Sequence, residues 1–185
     1  MTNIQKIELG NIADKLLNDA IKQRDKWLFK PNYIDTVLLF KRAAEMYKIC
    51  EEYERSLSAY NYAADLCIKN KNFIEASKIY ENAANVIKNN SIDTMYNLLH
   101  KSQKILTQNG FLTDAMKINK KLAGKYEEDG YFVNAISFYN LVMEYYEKEN
   151  NIDEAHKIMA KLLQLYKQIG NETEANKIIE KSIKL

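Results

Sequence analysis

Residues 73–88 read FIEASKIYENAANVIK. Phe73 opens the stretch, Ala76 and Tyr80 follow, and the pair Ala83 and Ala84 comes next. Twenty residues earlier stands YERSLSAYNYAADLCI, and twenty before that YIDTVLLFKRAAEMYK. The same order of aromatic, small residue and small pair recurs at a fixed distance. Taking the small residue as an anchor gives Thr36, Ser56, Ala76, Met95, Ala115, Ala135, Ala155 and Ala175, with Leu16 read as the start of the series. Every step is 20 residues except the 19 from Ala76 to Met95.

Four residues past each anchor come Phe40, Tyr60, Tyr80, Leu99, Asn119, Tyr139, Met159 and Ile179, and Asn119 is the one break in an apolar column. Seven and eight past it lie pairs such as Ala43 with Ala44, Ala63 with Ala64, and Leu162 with Leu163. Offsets of 0, +4, +7 and +8 share one face of an α-helix. Each unit is therefore expected to be one amphipathic helix of roughly 16 to 18 residues followed by a short turn. Gly110, Gly130 and Gly170 stand where a left-handed residue ends a helix. Pro31 suits the opening of the second helix, and Asn72, Ser91 and Asn151 suit N-caps. A single such helix cannot bury its own apolar face and must stack on its neighbours. The expected fold is all-α: a right-handed α-solenoid of about nine antiparallel helices, one hairpin per 40 residues. It forms one tetratricopeptide-like domain over residues 1–185, with an opening helix and loop over 1–31 and repeats over 32–185.

Composition agrees. Five glycines and one proline in 185 residues, with 46 % apolar and 28 % charged residues, suit an all-helical protein with a real core. A net charge of +2 gives no global case for nucleic-acid binding. Cys50 and Cys67 are the only cysteines and make no disulfide framework, so a reducing, cytoplasmic setting is expected. The first ten residues hold no long apolar run, so no signal peptide is expected, and no run is long enough to span a membrane.

The Ala76, Tyr80, Ala83 spacing resembles the second helix of a tetratricopeptide repeat, but that repeat takes about 34 residues, and here the hairpin takes 40. A family with longer tetratricopeptide-like hairpins is the soluble NSF attachment proteins, SNAPs. DKWLFKPNYIDTVLLFKRAAEMYK (25–48) resembles the opening segment of that family, and most of all that of gamma-SNAP. NFIEASKIYENAANVIK (72–88) resembles its fourth helix, and GFLTDAMKINKKLAGKYEEDGYFVNAISFYN (110–140) is similar to its middle segment. The resemblance runs from about residue 5 to residue 183.

That resemblance implies an adaptor without catalytic activity, cytoplasmic and peripherally associated with endomembranes. Its partners would be the SNARE complex, a syntaxin-containing helical bundle, and the ATPase NSF, which disassembles the bundle in vesicle transport and membrane fusion. The chain stops at Leu185, where the family continues into a C-terminal helical bundle that contacts NSF, so it is expected to correspond to the repeat part and NSF engagement is in doubt. The resemblance also places SNARE-contacting lysines at Lys117, Lys157 and Lys161, and a membrane-touching apolar loop at Trp27, Leu28 and Phe29.

The residues themselves allow a test of the basic surface. Two and six residues past the anchors 36, 76, 115 and 155 come Leu38, Arg42, Lys78, Asn82, Lys117, Lys121, Lys157 and Lys161. Six of these eight are basic. The other helices give Ser58, Tyr62, Asn97, Lys101, Ser137, Leu141, Lys177 and Lys181 at the same offsets, of which three are basic. Alternate helices line one layer of a solenoid, so Arg42, Lys78, Lys117, Lys121, Lys157 and Lys161 are the expected SNARE-binding stripe. The same pattern also suits a solvated face paired with local carboxylates. Lys26 and Lys30 flank Trp27, Leu28 and Phe29, a composition that suits a headgroup interface and equally a packed cap on the first hairpin.

No enzyme is expected. His100 and His156 have no ligand partners at metal spacing, and no phosphate loop or nucleophile motif is present. No metal, cofactor or nucleic acid is expected to bind. The alternative function is a tetratricopeptide-like interaction scaffold that holds a peptide segment.

Overall fold

A computed structural model describes residues 2–26 and 32–184. Among the described residues it forms nine helices and no strand: α1 (Asn3–Arg24), α2 (Tyr33–Ile49), α3 (Tyr53–Lys69), α4 (Phe73–Ile87), α5 (Ile92–Gln108), α6 (Leu112–Glu128), α7 (Phe132–Lys148), α8 (Ile152–Gln168) and α9 (Glu172–Lys184). Helices α2, α3, α5, α6, α7 and α8 are each 17 residues long, the length the repeat predicts. Pro31 lies outside the described residues. The described start of α2 is capped by Asn32, whose side chain accepts from the Ile34 N–H at 3.2 Å.

The turns repeat as regularly as the helices. At six of them the third residue past the helix donates its N–H to a carbonyl five residues back, as Asn72 does to Cys67 and Tyr131 to Tyr126. The residue between has positive φ: Glu51, Lys71, Gly110, Gly130, Asn150 and Gly170. This is the Schellman turn, which satisfies carbonyls that the helix end would leave unpaired. Only glycine fills that left-handed slot without cost. The following residue, or the one after it, then caps the next helix: Asn72, Ser91 and Asn151 accept from the N–H groups of Glu75, Thr94 and Glu154. The exception is the turn after α4. There the helix is 15 residues, Asn90 and Ser91 both donate to the Ile87 carbonyl, and the 19-residue step results.

The chain divides into two compact units, Met1–Phe111 with α1 to α5 and Leu112–Leu185 with α6 to α9. Within the first, α1 packs on α2, α2 on α3, α3 on α4 and α4 on α5; within the second, α6 packs on α7, α7 on α8 and α8 on α9. Short turns make each packed pair antiparallel. The seam is the repeated set: Thr36, Ser56, Ala76, Met95, Ala115, Ala135, Ala155 and Ala175 are all buried, as are Ala43, Ala44, Ala63, Ala64, Ala83 and Ala84. Small side chains there let helix axes approach, and enlarging one would cost about 1–3 kcal/mol by overpacking. In α1 the buried residues are instead Gly10, Ala13 and Ala20, and Leu16 is only half-buried. Ile179, in the last helix, is likewise exposed.

Buried polar groups in the seam find partners with one exception. Ser56 donates to the Ala44 carbonyl at 2.8 Å, Ser77 and Ser102 bond each other at 2.8 Å, and Thr36 donates to Gln23 at 3.2 Å. Asn119 is fully buried, and among the described residues its amide nitrogen reaches only the Met116 sulfur at 3.5 Å and its Oδ1 has no partner.

Candidate functional site

Ion pairs between next-but-one helices fix the layers inside each unit. Lys41 reaches Glu75 at 2.7 Å, joining α2 to α4. In the second unit Lys120 reaches Glu154 at 3.1 Å and Lys161 reaches Glu127 at 2.9 Å, both joining α6 to α8, while Lys181 reaches Glu147 at 2.8 Å and joins α7 to α9. All four pairs span 34 residues, and the first two occupy identical repeat positions. The alternate helices α2 and α4, and α6 and α8, therefore stand side by side within their units.

The α6 and α8 face carries the lysines that the offsets single out. Lys117 and Lys157 stand two residues past their anchors and are 69 % and 67 % exposed. Each donates to the first-turn carboxylate of its own helix, Lys117 to Asp114 at 2.8 Å and Lys157 to Glu154 at 2.5 Å. Those bonds raise the affinity of both lysines for their protons. The Lys157 bond, followed by that from Lys120, holds the Glu154 carboxyl below its usual range. Lys161 is more firmly placed, because its partner Glu127 also accepts from the Tyr139 hydroxyl at 2.9 Å. Lys121 is half-buried on the same helix as Lys117. Lys120 was outside the offset rule and belongs to this face; a lysine five past an anchor with an acid just before the next-but-one anchor is the signal that would have found it.

The face is thus a lattice of cations interleaved with Asp114, Glu127 and Glu154. Exposed pairs of this kind contribute little to stability and are screened by salt. They hold extended lysine side chains in fixed places, ready to exchange one carboxylate for another. In the first unit Arg42 and Lys78 are exposed on α2 and α4 and make no ion pair with a described residue. Lys26 is exposed just beyond α1; Trp27, Leu28, Phe29 and Lys30 lie outside the described residues.

Among the described residues no group of three His, Cys, Asp or Glu side chains could hold a metal. Cys50 and Cys67 are buried free thiols. Burial pushes the Cys67 thiol up to about 11, and Cys50 is raised too while donating to the Lys6 carbonyl at 3.3 Å. None of the described helices is long and apolar enough to cross a membrane.

Residues 11–184 match the family of soluble NSF attachment proteins, SNAP. The chain belongs to the SNAP family. No curated protein sequence matches this SNAP chain. Among solved structures it is similar to BtubC (BKLC) from P. vanneervenii, at 12 % identity with a TM-score of 0.57, covering 97 % of the SNAP chain and 74 % of the other. A Podosopora anserina kinesin light chain with nearly identical TPR-like repeats gives 13 % identity and a TM-score of 0.55, covering 96 % and 87 %. At such identities the likeness speaks for the fold alone: an all-helical solenoid of TPR-like hairpins.

Proposed function

We propose that this SNAP family member is a non-catalytic adaptor of vesicle transport and membrane fusion that binds assembled SNARE complexes and helps recruit NSF to them. Within the family its opening segment is of the gamma-SNAP type. The observation that carries the reading is the coincidence of family membership with the exposed lysines of α6 and α8. Lys117, Lys157 and Lys161 meet the acidic surface of a helical bundle, with Lys121, Lys78 and Arg42 extending the contact. Long-range attraction of this kind speeds encounter and weakens with salt. Trp27, Leu28 and Phe29, with Lys26 and Lys30, would touch the membrane surface that the bundle is anchored in. A peptide-binding scaffold is the second reading, favoured by the TPR-like solved structures it is similar to.

The test is binding to an assembled SNARE complex at low and moderate salt, with the double reversal Lys117→Glu and Lys157→Glu beside the wild type. These two are the most exposed of the three, so their reversal leaves the packed seam untouched. Salt-sensitive binding that the reversal removes supports the reading. Equal binding by a reversal variant with native circular dichroism would overturn the α6 and α8 face as the contact.

A further inference from the structure

On the other layer of the first unit, α3 and α5 enclose a groove of about 490 Å³. Leu57 of α3 and Leu98 of α5 form its apolar floor, and Asn61 of α3 and Asn97, Lys101 and Lys104 of α5 line its walls. Among the described residues no carboxylate lines it. This sets it apart from the α6 and α8 face, where each of Lys117, Lys120, Lys157 and Lys161 already holds an acid. Among the described residues Lys101 and Lys104 make no ion pair; Lys101 lies over the Tyr80 ring at 5.7 Å. The Asn61 and Asn97 amides have no hydrogen-bond partner among the described residues, and Asn61 is half-buried.

We infer that this groove binds an acidic peptide segment in extended conformation. Each asparagine amide offers one donor edge and one acceptor, the pair that a peptide backbone presents in reverse. Asn61 on α3 and exposed Asn97 on α5 line the groove together, and their amides would bond an extended main chain whatever its sequence. The lysines then select charge. Asn97, Lys101 and Lys104 stand at i, i+4 and i+7, one face of α5 rising roughly 10 Å. An extended strand covers about three residues in that length and places side chains at i and i+2 on one side, roughly 6.6 Å apart. Lys101 and Lys104 rise only about 4.5 Å from one another, and their long side chains splay to reach two carboxylates separated by one residue, while the apolar floor takes a side chain of the opposite face. The volume falls within the range of about 300–1,000 Å³ usual for binding pockets. A folded helical bundle is too wide for a cleft this size, so the groove is independent of the SNARE contact proposed above.

The experiment is fluorescence anisotropy with a labelled eight-residue peptide alternating glutamate and valine, against the same peptide with glutamine for glutamate. The expected result is salt-sensitive binding of the glutamate peptide. It should weaken about tenfold in the Lys101→Ala, Lys104→Ala double variant and in Lys104→Glu alone. Asn61→Ala should weaken it while leaving the salt dependence intact, since that side chain carries no charge. Binding of the SNARE complex should not change in these variants, which keeps failure of this site distinct from failure of the adaptor reading. Equal binding of the glutamine peptide, no binding by the folded wild type, or binding untouched by the lysine variants would each overturn the assignment. So would a preference for phosphatidylserine vesicles that the same variants abolish, because the groove would then serve a lipid surface.

Discussion

Replacing Asn119 with leucine should stabilise the second unit. Asn119 occupies the column four past the anchor, where the other units place Phe40, Tyr60, Tyr80, Leu99, Tyr139, Met159 and Ile179. It is fully buried, and among the described residues its Oδ1 is unpartnered and its nitrogen bonds only a thioether at 3.5 Å. A buried acceptor without a donor costs about 1–3 kcal/mol. Leucine has the same side-chain heavy-atom skeleton with bulkier ends, so repacking should cost up to about 1.5 kcal/mol, which the new apolar contact offsets. The expected net effect of Asn119→Leu is about 1–2 kcal/mol. With a urea slope of roughly 1–3 kcal/mol per molar, the midpoint rises by about 0.5–1 M. The assay is urea unfolding followed by far-UV circular dichroism on wild type, Asn119→Leu and Asn119→Asp. The aspartate should move the midpoint sharply down, since it buries a charge in the same place. A midpoint lowered by Asn119→Leu at unchanged slope would refute the reasoning, because it would mean the amide is held by a bond the seam cannot spare.

Three further outcomes follow from the geometry. Lys71→Gly should raise stability by roughly 0.5–1 kcal/mol, since Lys71 holds φ 58° in a slot that Gly110, Gly130 and Gly170 fill elsewhere; thermal melting of the variant checks it, and a lower melting temperature would count against strain there. The two thiols should stay unlabelled by a disulfide reagent at pH 8 in the native protein and react fully in urea, because burial raises both above the usual thiol range. Asp14 accepts from the Tyr47 hydroxyl at 2.6 Å and pairs with Arg55, and the Tyr47 bond leads in holding its carboxyl below the ordinary 3.8. A depressed folded-state value means the stabilisation is full above that ordinary value and is lost as pH falls through the lower folded one. Asp14→Asn should therefore flatten the acid limb of the stability curve, and an unchanged acid limb would remove Asp14 from the account.

The repeat was legible because it depends on burial with a helical period. Ala76, Ala115, Ala135 and Ala155 are fully buried as the offsets require, and the step of 19 marked the turn that differs. Gly110, Gly130 and Gly170 announced left-handed turns. Glu51, Lys71 and Asn150 adopt the same conformation without that signal, because neighbouring hydrogen bonds impose it on residues whose own preference is weak. At the lysine face, the partners of Lys117 and Lys157 could be read three residues upstream. That of Lys120 needs the repeat register, since Glu154 stands just before the next-but-one anchor, and that of Lys161 could not be read, since a pair 34 residues apart depends on how two helices are rotated against each other. The groove between α3 and α5 was half visible: the offsets reached Asn97 and Lys101, but Asn61 and Lys104 fall at offsets the rule did not sample.

The ion pairs between next-but-one helices give each unit a parity. Within Leu112–Leu185, a residue's surface is decided by whether its helix is odd or even in the count, not by its own composition. Loss or gain of one 20-residue helix would send every later helix of that unit to the opposite surface, carrying Lys157 and Lys161 away from Lys117 and Lys121 while leaving each helix's own pattern intact. Loss or gain of two would preserve the assignment. A one-helix edit is therefore a test of surface assignment in which local sequence is held constant.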